Sequence, residues 1–458
     1  LVAALLVVGA IAYLPALGGV FTFDDYHWIL ENPHLGDVTT YGWQRRPVTL
    51  LTFAANLFAH GPQPLGFHLV NIGLHLANAV LVFILVRHVL PARPGRQWAA
   101  AAGAALFLLH PAQTEAVTYV AGRATSLMTF WLLVAHLSAL RIPNGRRWVA
   151  LSMTAFALAV GAKEVALIYP VLLTAWYAVG GRPFGMSVRA ALPHWIATLC
   201  LVVAMGLHTG YRSLAAEAID GGRVAASPLA RLENRLGLGF CFNYGAPRSD
   251  SCVATRLEGV SGLTRVLVFP WTTNLDHGRR AVRGVDVAIA AIAAGAIVAG
   301  LRSATVSTAV GSVWIVAALL PTGLLVVRSD PVADRLLYLP MVGIAIAASG
   351  AVLSAMGRVP PSSVAASGAV VLLALAALTS ARNVQYRSEV AIWEDAVRKA
   401  PHNPRARVNL AYAYELRDDL DAAEREYKEA SRLSPGLRWA DAGLRAVRDR
   451  RVSLRRRH

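Results

Sequence analysis

Two adjacent carboxylates, Asp24 and Asp25, stand in the stretch FTFDDYHWILENP (21–33), directly after an apolar run from Leu1 to Val20. A carboxylate pair at the mouth of a membrane helix is costly unless it meets water, a cation or a substrate. The pair therefore reads as part of a site at the membrane surface, where one carboxylate takes a proton from an attacking hydroxyl. The structural alternative is a helix cap or an ion pair with Arg45 or Arg46. Further along, His110 and Glu115 flank a helix break at Pro111, where the missing backbone donor lets polar groups gather. Arg123, Lys163 and Arg335 are cations suited to phosphate or sugar, Arg through its planar fork and Lys as a compact charge. Arg46 and Glu164 complete the candidate substrate contacts. Each has a plainer reading: Glu115 as a cap in TEAV, His110 as a satisfied structural group, Lys163–Glu164 as interfacial snorkelling with a local ion pair, and Arg335 as a partner of Asp334.

These residues need a membrane scaffold, and the composition supplies one. The 458-residue chain is 55% hydrophobic and 16% charged, with a mean hydropathy of +0.47, whereas soluble domains carry about 25% charged residues. Apolar segments recur near 1–20, 67–90, 98–109, 124–140, 148–161, 165–180, 190–208, 285–301, 306–327, 336–356 and 364–381. That predicts an all-α polytopic membrane protein of about eleven transmembrane helices. Leu1 to Val20 is taken as the first of these rather than as a signal peptide, and the absence of an initial Met implies a lost N-terminal segment. The net charge of +17 favours anionic head groups or phosphates. No basic face interleaved with aromatics stands on a soluble module, so no nucleic-acid partner is expected.

Short Arg-bearing loops at 91–96, 141–147, 180–185, 301–303 and 356–358 alternate along the chain and mark the cytoplasmic side. The other side then holds Asp24 and Asp25, 110–117, 161–164, the long loop 209–284, 328–335 and everything after Ser380. Nearly all the membrane-part carboxylates fall there. Within the first outer loop (21–66), 46–60 reads as a helix lying in the interface, and 256–275 invites the same reading. Cys200, in an apolar run, is expected to be inert core, while Cys241 and Cys252 flank a polar loop and form a candidate disulfide if that loop is outside. The adjacent carboxylates could help bind Mg²⁺ or Mn²⁺, but no Asp-x-Asp or His cluster accompanies them and no metal is expected. Walker-type glycine loops and a serine nucleophile elbow are absent.

The transmembrane part is expected over 1–382 and a helical domain with a basic tail over 383–458. Leu410, Ala411, Tyr414, Ala423, Tyr427, Ala430 and Pro435 have tetratricopeptide spacing, placing one repeat at about 404–437. Trp393, Ala396 and Pro401 match the second helix of a preceding repeat. So short an array is expected to dock on the membrane part, because an isolated repeat leaves its apolar face bare.

In order and spacing, FTFDDYHWILENP, RRPVTLLTFAANLFAH, LFLLHPAQTEAVTYVAGRATSL, GAKEVALIYP and DRLLYLP, followed by tetratricopeptide helices, resemble the transmembrane and tetratricopeptide-repeat O-mannosyltransferases and their bacterial relatives. The resemblance covers nearly the whole chain. It implies a type C glycosyltransferase of a bacterial inner membrane, with its active site and repeats on the periplasmic side. Such an enzyme moves a sugar, here mannose, with inversion from a polyprenyl-phosphate carrier to Ser or Thr hydroxyls of exported proteins. Asp24, Asp25 and Glu115 are then the catalytic candidates. The cations are assigned to the carrier, and the repeats to a protein partner. Thr125, where that family commonly has an acidic residue, and His277, where it often has Tyr, depart from the pattern. Two other readings remain: a transferase of the same core acting on lipid A or a glycan, and a non-catalytic membrane scaffold for the repeats.

Overall fold

The computed structural model describes residues 1–43, 45–207, 242–244, 252–328 and 330–457. Among the described residues the fold is all-α apart from one short parallel pairing of Phe242–Tyr244 with Val326–Arg328. Among the described residues, five helices are long and apolar enough to cross a membrane: Pro64–Val89, Val120–Ala139, Phe184–Met205, Gly284–Leu301 and Pro361–Gln385. Other apolar helices among the described residues are shorter, so the expected count of about eleven spans is not reached by length and hydropathy. The first apolar run illustrates why: the α-helix Val2–Tyr13 is followed by Pro15 in a tight 3₁₀ turn over Leu14–Gly18. Pro lacks the amide that the next helical turn would need.

Small residues set the packing of the bundle. Helices Val306–Leu319 and Pro340–Met356 cross at Gly311 and Gly343, where a Cβ on Gly343 would lie 2.5 Å from the Gly311 carbonyl oxygen. Lipid offers no hydrophobic drive between helices, so close backbone approach and dispersion hold such pairs together. Gly103 meets Ser349 in the same way, joining Arg96–Leu109 to Pro340–Met356. At one end of the bundle, Met356 covers Gly95, which bridges two of the Arg-bearing loops.

The opposite end carries the polar loops. Helix Pro47–His60 starts with Pro and buries Thr49, Leu50, Phe53 and Asn56 on one face. Leu51 and Phe58 project outward, Phe58 at 96% exposure, which suits a helix lying in the interface. The segment 256–275 divides into the helix Cys252–Val268 and a turn at Pro270. Val268, Phe269 and Trp271 are exposed beside that break.

The C-terminal helical unit begins at Glu389, after the apolar helix runs to Gln385. Helices Glu389–Lys399, Pro404–Leu416 and Leu420–Leu433 have side-chain caps: Ser388 accepts from Ala391 N–H, Asn403 from Arg405 and Ala406 N–H, and Asp419 from Ala422 N–H. Such caps satisfy amides that a helix start leaves open. Ala411, Ala423 and Ala430 are fully buried, letting the helices approach closely, and Tyr427 fills the space between them. The helix Arg438–Arg457 closes the array.

This helical unit is seated on the polar end. Arg405 grips Asp276 with two hydrogen bonds of 2.6 and 2.8 Å. Lys399 Nζ donates to the Thr273 carbonyl at 2.8 Å, and Arg382 pairs with Asp395 at 2.6 Å. Tyr119 and Leu275 from the membrane part share one apolar core with Tyr386, Ile392 and Trp393.

Candidate functional site

The opening carboxylates are separated by the turn that bears them. Phe23 adopts a left-handed backbone at φ 53° and packs edge-on against Trp393 at 5.5 Å. A bulky residue in that region is strained unless its surroundings enforce it. The turn sends Asp25 inward and leaves Asp24 half-buried. Asp25 is fully buried. Its two oxygens accept from Thr22 N–H at 3.0 Å and Ala121 N–H at 2.7 Å. It thus ties the first loop to the turn 120–122. Asp24 donates its own N–H to the Tyr119 hydroxyl at 3.2 Å, and its carboxylate helps keep Arg335 charged.

Burial pushes the Asp25 carboxyl up to about 8, against backbone amides of Thr22, Ala121 and Val120 that pull it down. A raised acid holds its proton more tightly when folded, so its contribution is complete below pH 4 and fades as pH rises from about 4 to about 8. We expect Asp25→Asn to flatten that part of the stability profile. Thermal melting at pH 5 and pH 8 measures it, and an unchanged pH slope in the variant contradicts the assignment.

Buried Glu115 meets part-buried Arg335. Arg335 donates through Nη1 to Glu115 Oε1, and its backbone N–H reaches Glu115 Oε2 at 2.8 Å. Its Nη2 donates to Asp330 at 2.8 Å. Burial opposes the Arg335 charge, but Glu115 and Asp330 more than offset it and hold the guanidinium well above its ordinary range. Next in sequence, Asp334 bonds to His277 Nε2 at 2.7 Å and accepts from Asn274 N–H at 2.9 Å. One end of the bundle therefore gathers Asp24, Tyr119, Glu115, Asp330 and Arg335, with the His277–Asp334 pair alongside.

Other residues expected to contact substrate have partners within the protein. Arg123 is fully buried, donating to Asn71, the Thr52 carbonyl and the Phe67 carbonyl while lying over Phe53 at 4.8 Å. It is a structural clamp between Pro47–His60 and Pro64–Val89. His110 accepts from Ala112 N–H through Nδ1 and faces the Leu267 carbonyl through Nε2 at 3.1 Å, so it caps the turn at Pro111. Burial lowers its pKa, consistent with a neutral ring. Arg46 and Glu164 form a bidentate pair at 2.7 and 3.0 Å. Arg46 holds Glu164 well below the usual carboxylate range, although burial opposes this. Lys163 Nζ donates to Thr125 at 2.7 Å. Glu115 is committed to Arg335 and does not present a free carboxylate. The expected Cys241–Cys252 disulfide falls outside the described residues at Cys241, and Cys200 is not in the core as expected but is an exposed free thiol on the outward face of its helix.

Tyr119, Asp330 and Asp276 went unmarked in the sequence. Asp330 and Asp334 both stand in RSDPVADR beside Arg335, a local density of charge between apolar runs that signals a site. Tyr119 carries no such signal, because its role depends on the fold bringing it to Asp24.

The helices and the part-buried charge cluster define a membrane-embedded helical protein with a carboxylate–arginine cluster at one end, capped by a C-terminal helical unit. Its relatives carry a transferase name. The chain is 37% identical over 167 residues to Protein O-mannosyl-transferase Tmtc1 of Drosophila melanogaster, covering 31% of this chain and 18% of that protein. It is 23% identical over 468 residues to Protein O-mannosyl-transferase F38B6.6 of Caenorhabditis elegans, covering 93% of this chain and 61% of that protein. Human Protein O-mannosyl-transferase TMTC4 is 33% identical over 199 residues, 35% of this chain and 27% of that protein. In each case the match spans less than two thirds of the relative's length. No family model matches the chain, and no solved structure does.

Proposed function

We propose that the chain is a membrane glycosyltransferase that moves mannose from a polyprenyl-phosphate carrier to Ser or Thr hydroxyls of proteins on the extracytoplasmic face of a bacterial inner membrane. The observation that carries this reading is the division between the two carboxylates. Asp25 is spent on the fold, whereas Asp24 is half-buried beside Tyr119 and the Arg335 cluster. Attack on an anomeric carbon needs a base for the acceptor proton and positive charge near the departing phosphate. Asp24 supplies the base. Arg335 is charge-saturated by Glu115 and Asp330, so it positions the loops and shapes the local field. Lys163, at the same end of the bundle, is the cation assigned to the carrier phosphate. The names of the relatives support the reaction class and the protein acceptor. Inversion follows from a single displacement by the acceptor hydroxyl.

The test incubates purified full chain with radiolabelled polyprenyl-phosphate mannose, glucose and aminoarabinose in turn, together with membrane extract. Mannose label in the protein fraction is the expected result. Label confined to lipid or glycan fractions, or label from another sugar alone, overturns it.

A further inference from the structure

Beside the seam between the membrane part and the repeats lies a cavity of about 410 Å³, with His277, the partner of Asp334, on its wall. Arg265, Arg279, Arg280, Arg283 and Lys399 line it, with Asp286 as the carboxylate among its lining residues. Asp286 is taken by Arg265 at 2.7 Å, while Arg280 is 3.9 Å from it. Behind the wall, Glu258 pairs with Arg279 at 3.0 Å, and Asp395 is shared by Lys399, Arg382 and Arg398. Among the described residues these carboxylates pair with Arg265, Arg279 and Lys399, while Arg280 reaches Asp286 only at 3.9 Å. Positive charge gathered around one cavity favours the entry of an anion.

The position identifies the anion. Val285, on the cavity wall, lies in the first turn of Gly284–Leu301, one of the five membrane-length helices. That helix is only 17% buried and exposes Val285, Val287, Ile292 and Val298. The cavity thus borders the start of an apolar helix whose exposed face suits lipid tails. Juxtamembrane cations attract anionic lipids, each contributing near the surface.

We propose that this cavity binds the phosphate of an anionic membrane lipid whose hydrocarbon chains lie along Gly284–Leu301. The bound phosphate draws together the loop 277–286 and the end of Glu389–Lys399, fastening the repeats to the bilayer side of the protein. The site needs no sugar and does not depend on the transfer reaction. Its lipid is either a bulk anionic phospholipid or a polyprenyl phosphate, which share this chemistry.

Native mass spectrometry of the full chain in detergent, titrated separately with phosphatidylglycerol, undecaprenyl phosphate, phosphatidylcholine and a hexaglutamate peptide, tests the site. Phosphatidylglycerol, undecaprenyl phosphate or both should bind, and Arg280→Ala/Arg283→Ala should weaken that binding on the order of 30-fold. Binding of one lipid alone identifies the source. The Arg280→Lys/Arg283→Lys variant should retain it, and matching melting temperatures establish that both variants are folded. Equal binding by the Ala variant, equal uptake of phosphatidylcholine, or preference for the peptide overturns the proposal. Because no sugar is present, loss of this site leaves the transferase reading standing, and failed sugar transfer leaves the site intact.

Discussion

Asp24→Asn is expected to lower sugar transfer by about 10²–10⁴-fold, the range associated with losing a positioned general base. The substitution is nearly isosteric and removes a half-buried charge, so the fold should survive and carrier binding should persist. Asp25→Asn should act differently. Its amide cannot accept at both oxygens, so one of the N–H groups of Thr22 and Ala121 loses its acceptor. An unsatisfied buried donor costs about 1–3 kcal/mol, and the loss should show as a lower melting temperature with activity lost through misplacement of Asp24. Transfer rates and melting curves of both variants separate the roles. Full activity in Asp24→Asn would falsify its role as the base.

The sequence could announce the acidic pair but not its division of labour. Adjacent residues point apart, yet which of Asp24 and Asp25 turns inward depends on Phe23 wedging against Trp393, some 370 positions away. The same limit governs the cations. Arg123 reads as a phosphate ligand because its type and its place beside an apolar helix fit. Only the fold reveals that Asn71 and two carbonyls already occupy its donors. Arg46 and Glu164 are 118 positions apart, so no local pattern pairs them. Local signals fared better. Tetratricopeptide spacing marked where helices Pro404–Leu416 and Leu420–Leu433 pack, because the small buried positions are fixed by short-range geometry. Hydropathy found the apolar helices but could not give their number as spans, since prolines at 15 and 270 end helices inside apolar stretches.

The second large effect concerns Glu115 and Arg335, which the sequence marks separately and the fold joins. Arg335→Met should destabilise the protein by about 3–5 kcal/mol, because it leaves Glu115 buried without its counter-charge. Glu115→Gln should cost less, since Asp330 still answers Arg335 at 2.8 Å. The double variant Glu115→Gln/Arg335→Met removes both charges and should be less destabilised than the two single losses added together. This non-additivity is the signature of direct contact. Thermal melting of the four proteins in detergent measures the cycle. Strict additivity would mean that the pair contributes through separate contacts. The activity of the double variant carries a further consequence. If Arg335 acts by positioning the loops, a refolded double variant should recover some transfer. If Arg335 instead stabilises the departing phosphate directly, transfer should stay lost even where stability returns. The pair thus links the architecture of the polar end to the chemistry assigned to Asp24, through an arginine whose charge is set by two carboxylates from different segments.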